Sequence, residues 1–488
     1  MNTRDTTYRN GQPHVCAGYP SRRQFLQRAG AGFGAVALAA LLEQVGLTKS
    51  GGALSPATVD PLTPKLPHFA PRAKSVIWCF MNGGPSSIDL FDPKPELDKS
   101  DGLKMEKGPI TTFSKKVGPL MKSPFSFERY GQCGQPVSEL YTNVARHVDD
   151  IAFIKACHVD SNVHDQSLLQ SNTGMTRVGF PSAGAWLTYG LGSENQNLPG
   201  FVVMHDARSL PVGGPPLWGS GFLPNAYQGT IFRAGENPIL DLRRPANMSE
   251  REQRRQLDFI GELNAEHQAE HRANADLAGR IASFELAYRM QIAAPEAAAL
   301  NRESKATRRL YGLDRWQSAP YGSQLLMARR LVERGVRFVQ AYSGGAPGDW
   351  DAHQQLAGNH RDRCLETDMP IAGLLTDLKQ RGLLDSTLVI WGGEFGRLPI
   401  TETDGGRDHN PDGFLLWMAG GGIKGGASIG ETDELGYRAA QDPVSIHDVH
   451  ATILALFGLD HTKLTYFHDG REFRLTDVSG EVIRRILA

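Results

Sequence analysis

The sequence predicts an α/β fold, a mostly parallel sheet sandwiched by helices, with a charged helical insertion. Three observations carry this. Apolar runs of strand length recur at "SVIWCFM" (75–81), "IAFIKAC" (151–157), "GFVVM" (200–204), "VRFVQAY" (336–342), "TLVIW" (387–391) and "FLLWMAG" (414–420). Their hydrophobicity is continuous instead of alternating, the pattern of strands covered on both faces. Helical patterns such as "SQLLMARRLVERG" and "PIAGLLTDLKQRGLL" stand directly ahead of the fourth and fifth runs, which suits strand–helix–strand crossovers.

Taken in order, the chain opens with "SRRQFLQRAGAGFGAVALAALLEQ". Paired arginines, Arg22 and Arg23, precede Phe25, Leu26 and a weakly apolar Ala/Gly run, so residues 1–49 resemble a twin-arginine export signal. The run from Ala29 to Leu42 is shorter than the ~20 apolar residues of a spanning helix. The expectation is a periplasmic or secreted protein that engages the twin-arginine export machinery and has no stable transmembrane span. A Gly/Ser/Pro-rich linker follows at 50–70, and residues 71–488 form the α/β domain. Within it, about 245–330 is charged and rich in Ala, Glu and Arg, and reads as a helical insertion or cap.

Composition narrows the function. The 488 residues allow one large domain with insertions, or two domains. With 52 basic against 53 acidic residues, bulk charge favours neither nucleic acid nor an anionic membrane surface. Cys16, Cys79, Cys133, Cys157 and Cys364 are scattered without a CxxC spacing and carry no assigned chemistry.

In open α/β sheets ligands bind beyond the carboxyl ends of the strands, and those positions are rich in metal-ligand types. Asn82, Ser86, Ser87, Asp89 and Asp92 follow the first run; His158, Asp160, Asn162 and His164 follow the second. Asp349, Asp351 and His353 follow the fourth; Glu394, Asp408 and His409 follow the fifth; His447, Asp448 and His450 open a last helix. Singly, each has an ordinary explanation as a turn, cap or satisfied histidine. Together they would converge on one sheet edge, where clustered carboxylates repel unless cations hold them.

The motifs "GGPSSIDLFDPKP", "NTG" (172–174), "WDAH", "WGGEFGR", "GRDHNPDG" and "HDVHATILALFGLDH" give the chain, from about Ser75 onward, a resemblance to two groups. It is similar to the alkaline-phosphatase-like fold of phosphatases and sulfatases, and more closely to the family called domain of unknown function 1501. The resemblance implies a metal site. It lays Asp349 and His353 on one metal pair, with Asp351 favoured by the closer family, and Glu394 on the next carboxylate, with Phe395 where the relatives have an imidazole. His409 falls on the late histidine, and Asn82 on the position after the first strand. It also lays His164 where the relatives carry a Ser, Thr or modified Cys nucleophile. His164 is then a ligand or a nucleophile itself, or catalysis uses a metal-activated water.

The expected metal set is Asn82, Asp351, His353, Glu394, Asp408 and His409, with His164 and Arg397 catalytic. Mixed carboxylate and imidazole ligation suits Zn or Mn better than Ca or Mg, as one or two divalent ions. Arg397 and Arg407 are candidate clamps for a sulfate or phosphate group, or partners of local carboxylates. The expected function is hydrolysis of sulfate or phosphate esters on a small molecule or polysaccharide. The alternatives are a degenerate relative that binds metal or an anionic glycan, and a structural component of the cell envelope.

Overall fold

Strand β1, Ser75–Met81, is buried along its whole length and forms the spine of the molecule. The structure, a computed structural model, describes residues 61–104, 112–115, 117–234, 237–270, 275–345 and 349–488. The twin-arginine reading of residues 1–49 lies outside them, as does most of the expected linker. Beyond β1 the central sheet contains β2 (Ile151–His158), β3 (Phe201–Met204), β4 (Thr230–Ile231), β5 (Phe338–Ser343) and β6 (Thr387–Gly392). A two-stranded hairpin of β7 (Gly396–Thr401) and β8 (Arg407–Asn410) then stands apart from it. The chain re-enters the sheet with β9 (Phe414–Ala419), β10 (Ser428–Ile429) and β11 (Val444–Ser445).

The sheet order is β10-β2-β9-β6-β1-β5-β3-β4, with β11 also on β2. β1 pairs in parallel with β5, Val76 opposite Phe338, and with β6, Ser75 opposite Thr387. β9 runs antiparallel to both β2 and β6. A parallel return needs a crossover of a dozen or more residues, usually helical. Between β6 and β9 the chain holds the β7–β8 hairpin and no helix, so β9 comes back reversed.

The flanking helices bury the sheet's apolar strands. They include α1 (His164–Thr173) and α2 (Ala183–Leu191); the charged segment forms α3 (Glu250–Glu270), which packs against α4 (Ala275–Ala298) and leaves Phe259, Ile260 and Leu263 exposed. α5 (Ala319–Val332), α6 (Leu356–Gln380) and α7 (Ile446–Leu456) complete the set. α3 starts at a reciprocal cap: the Glu252 amide donates to Ser249 Oγ at 3.2 Å, and the Ser249 amide to Glu252 Oε2 at 2.8 Å. Among the described residues no helix is long and apolar enough to cross a membrane.

Candidate metal centre

The topology gathers the chemistry. β1, β2, β5 and β6 share one direction, so Asn82, His164, Asp351 and Glu394 all follow carboxyl ends at the same edge of the sheet. β9 is reversed, so its start lies at that edge too. The hairpin just ahead of it therefore delivers His409 to the same place.

Four side chains converge there: His164, Asp351, His353 and His409. His353 Nε2 is 2.8 Å from His409 Nε2 and 3.0 Å from Asp351 Oδ1. His409 Nε2 is 3.2 Å from Asp351 Oδ1, and His164 Nε2 is 3.3 Å from Asp351 Oδ2. The floor is dry, with His409 at 1% exposure. The mouth is open, since the side chains of His164, Asp351 and His353 are 19%, 26% and 27% exposed.

Each imidazole is held from behind through Nδ1. His164 Nδ1 meets Glu394 Oε1 at 2.7 Å, His409 Nδ1 meets the Asn162 carbonyl at 2.6 Å, and His353 Nδ1 bonds Glu402. All three Nε2 atoms are thereby turned toward Asp351. Phe395 forms a wall, its ring 4.8 Å from that of His164 and 4.6 Å from that of His409.

Several expected ligands take other places. Glu394, fully buried, accepts the Gly83 amide at 2.9 Å and 3.2 Å as well as meeting His164; it stands one bond behind the cluster. Arg397 is no free clamp: its guanidinium donates to the carbonyls of Gly83, Gly84 and Arg407 and to Asp351 Oδ1 at 2.6 Å. Arg407 is likewise committed, paired to the buried Asp89 at 2.8 Å. Asp408 accepts the Ser114 amide and hydroxyl at 2.9 and 3.0 Å and its neighbour's amide at 2.7 Å. It falls in a second grouping with His353 and Glu402. Asn82 is 3% exposed, and its Oδ1 has no hydrogen-bond partner.

The other hydroxyls near these positions are engaged. Ser86 bonds Asp89, Ser87 accepts the Leu415 amide at 2.8 Å, and Ser161 donates to Gln166 at 2.8 Å. Glu402 was not among the expected residues. Its signal was the "TDGG" turn, a hairpin sequence that sets Glu402 at the bend, where it meets His353.

Electrostatics reflect the crowding. Burial works against ionising Asp351, but the Arg397 charge and three imidazole contacts hold its carboxyl far below the usual range. Burial alone would lower His164, yet the neighbouring Asp351 and Glu394 carboxylates lift it to about 9. His409 is pushed down, first by burial and further by the Arg397 charge.

A family profile described as "Protein of unknown function (DUF1501)" matches residues 73–487. The chain belongs to that family. Among curated proteins none matches it significantly. Among solved structures, the DUF1501 chain is similar to a sulfatase from Pseudoalteromonas sp. at 12% identity, covering 80% of this chain and 68% of that one, with a TM-score of 0.35. It is also similar to the alkaline phosphatase of the Antarctic bacterium TAB5 at 11% identity, covering 76% and 96%, with a TM-score of 0.34. A third is the phosphonate monoester hydrolase of Silicibacter pomeroyi, at 12% identity over 68% and 70%, with a TM-score of 0.33.

The residues of the DUF1501 chain fit a divalent ion on their own geometry. Donors ~2.0–2.1 Å from a tetrahedral ion stand ~3.3 Å from one another; here four donor pairs stand 2.8 to 3.3 Å apart, and the whole set lies within 4.8 Å. Imidazoles tied through Nδ1 to carboxylates or carbonyls are the usual outer support of metal-binding histidines. His164 Nε2 is buried without a well-formed hydrogen bond. That is a costly state for a polar atom, and one that a metal ion relieves.

Proposed function

We propose that this DUF1501 protein is an exported, metal-dependent hydrolase of sulfate or phosphate esters. The single observation that carries the reading is the set of three imidazoles, each secured through Nδ1, with Nε2 toward one carboxylate at a partly open sheet edge. His164, His353, His409 and Asp351 would hold the ion, and the imidazole-rich set favours Zn or Mn. When bound, such an ion supplies a Lewis acid that polarises an ester oxygen and acidifies water at neutral pH.

The chain's own residues do the rest. Glu394, Glu402 and the Asn162 carbonyl fix ring orientation and tautomer. Arg397 offsets the Asp351 charge and aims that carboxylate, so it is a positioning residue. Phe395 excludes water from one wall. His164 serves as a ligand in this arrangement, and a water is the attacking group. Export through the twin-arginine route belongs to the same proposal and rests on the "SRRQFLQ" segment.

A second reading, a binder without turnover, is favoured by Phe395 in place of an imidazole and by the engaged serines. One experiment separates the two. Protein from the exported fraction is assayed for bound metal beside His353→Ala and His409→Ala variants, then screened against aryl sulfates and aryl phosphates with and without chelator. Near-stoichiometric metal lost in both variants, with chelator-sensitive turnover, supports the hydrolase; metal without turnover supports the binder. A wild type that stays metal-free after exposure to Zn and Mn sinks both.

A further inference from the structure

Helix α3 turns its largest apolar side chains away from the rest of the chain. With 3.6 residues to the turn, the half-buried Gln253, Arg254, Leu257, Gly261 and Asn264 fall on one side of it. That side meets α4: Arg254 lies 3.6 Å from Glu285, and its guanidinium sits 4.9 Å over the Tyr288 ring. Phe259 and Leu263, one turn apart, fall on the opposite side with Ile260 at their edge. They are 61%, 50% and 46% exposed in that order. A charged residue faces inward here while an aromatic ring faces water. An apolar patch of this kind, rimmed by charge, marks an interaction surface.

The rim says what covers it. Arg251 and Arg255 precede the patch, Glu262 and Glu266 follow it, and all four are exposed. By helical spacing the four share one flank of the Phe259–Leu263 row. Among the described residues the ion pairs of α3 use Arg254 and leave these four out. The flank is therefore basic in its first half and acidic in its second, with the apolar pair between.

Such a pattern complements itself. A two-fold axis at the level of Gly261, midway between Phe259 and Leu263, sets a second α3 antiparallel beside the first. Phe259 then meets the second copy's Leu263 and the reverse, as an isologous contact requires. The axis brings the same flank of both helices together, so Arg255 stands about one residue from the level of the second copy's Glu266. A parallel pair would instead set arginines level with arginines. The acidic half also disfavours a lipid surface, because interfacial helices carry Lys and Arg beside their apolar face and anionic headgroups repel carboxylates. With 21 residues α3 is about 32 Å long, the scale of a small interface burying ~1,200 Å² in total.

We propose that the protein forms a two-fold symmetric homodimer in which α3 packs antiparallel on α3 of a second copy. Phe259 and Leu263 form the centre, and Arg255–Glu266 pairs close the two ends. The proposal concerns a face of the chain separate from the metal cluster and does not depend on the hydrolase reading.

The test is sedimentation velocity of the purified protein from ~1 to ~100 μM, a range that brackets a small reversible interface. A dimer with Kd about 10 μM or tighter is expected. The Phe259→Glu, Leu263→Glu double variant places a good helix former at exposed positions; it is expected to stay monomeric, with helix content and metal content unchanged. Arg255→Glu and Glu266→Arg each weaken the dimer about tenfold by setting like charges together, and the two combined restore it to within about threefold of wild type. The proposal is overturned if the wild type is monomeric at ~100 μM, if the Phe259→Glu, Leu263→Glu variant dimerises as wild type does, or if the combined charge reversal is no tighter than the single ones. A monomeric wild type that co-sediments with phosphatidylglycerol vesicles also overturns it and gives the face to a membrane.

Discussion

Glu402 stands outside the His164–Asp351–His353–His409 cluster, yet it holds the Nδ1 edge of His353 from the turn of the β7–β8 hairpin. Outer partners of this kind set ligand orientation, and their removal costs about 10–100-fold in metal affinity. Glu402→Ala is therefore expected to weaken Zn affinity by that factor while retaining a site, measured by competition with a chromophoric chelator; unchanged affinity would remove Glu402 from the centre. Two other histidines shape pH dependence away from the site. Burial holds His360, whose Nε2 accepts the Ser86 amide at 3.0 Å, and His450, whose Nε2 donates to the Ser171 carbonyl at 2.9 Å, both down to about 3. The ordinary imidazole value is 6.5, so between 6.5 and 3 the unfolded chain binds the protons that the folded one refuses. The stability these neutral rings contribute is complete above pH 6.5 and is lost as pH falls toward 3. Relative to pH 7.5 the loss at pH 5 is about 2 kcal/mol per ring, at ~1.4 kcal/mol per pH unit. Urea unfolding of chelator-treated protein across this range checks it, and in His360→Gln the slope should shrink by one proton.

At the scale of elements, the loop after β1 and helix α1 decide whether the ligands meet. Gly83 has φ +109, a conformation that side chains rarely adopt, and a Cβ there would stand 2.6 Å from the Asp351 amide nitrogen. Its own amide holds Glu394. Gly83→Ala should displace the Asp351 loop and release metal at a cost of about 1–3 kcal/mol in stability; metal content and thermal unfolding of the variant decide this. α1 carries His164 at its first turn and is clamped at its other end. Asn172 Oδ1 accepts from Gln340 at 2.7 Å and Tyr342 at 3.0 Å on β5, and His447 meets the Gly174 carbonyl at 2.8 Å. This explains the "NTG" and "HDVH" motifs without any catalytic part. Asn172→Leu orphans two buried donors, each worth about 1–3 kcal/mol, so calorimetry should show a clear loss of Tm.

Across the whole molecule, the candidate metal cluster joins segments from residue 162 to residue 409. An ion bound there would grip the sheet's carboxyl edge only in the folded state. At an ion concentration ~100 times Kd, the protein gains ~2.7 kcal/mol of stability by mass action. Thermal scans with Zn or Mn against chelator should show it as a rise in Tm. The gain should fade on acidification as protons compete for the imidazoles, beginning below about pH 9 with His164. A Tm indifferent to both ions would mean that the cluster is a self-compensated ion-pair network.

The sequence by itself determined the strands, because continuous apolar runs need no partner to be recognised: β1 spans the residues of "SVIWCFM". It also placed the four converging side chains among the ligand types that follow successive strands, with His164 read as catalytic and with Asn82, Glu394 and Asp408 counted as ligands beside them. The reversal of β9 was not legible; "FLLWMAG" reads alike in either direction, and the missing crossover helix decides it. Nor was the rank of each side chain within the site. Glu394, Arg397 and Glu402 differ in role only by which atom lies within hydrogen-bond reach, and that is settled by a β-hairpin and three loops meeting in space. Local pattern specifies what an element is, whereas the contacts between elements specify which carboxylate faces the cluster and which one supports it from behind.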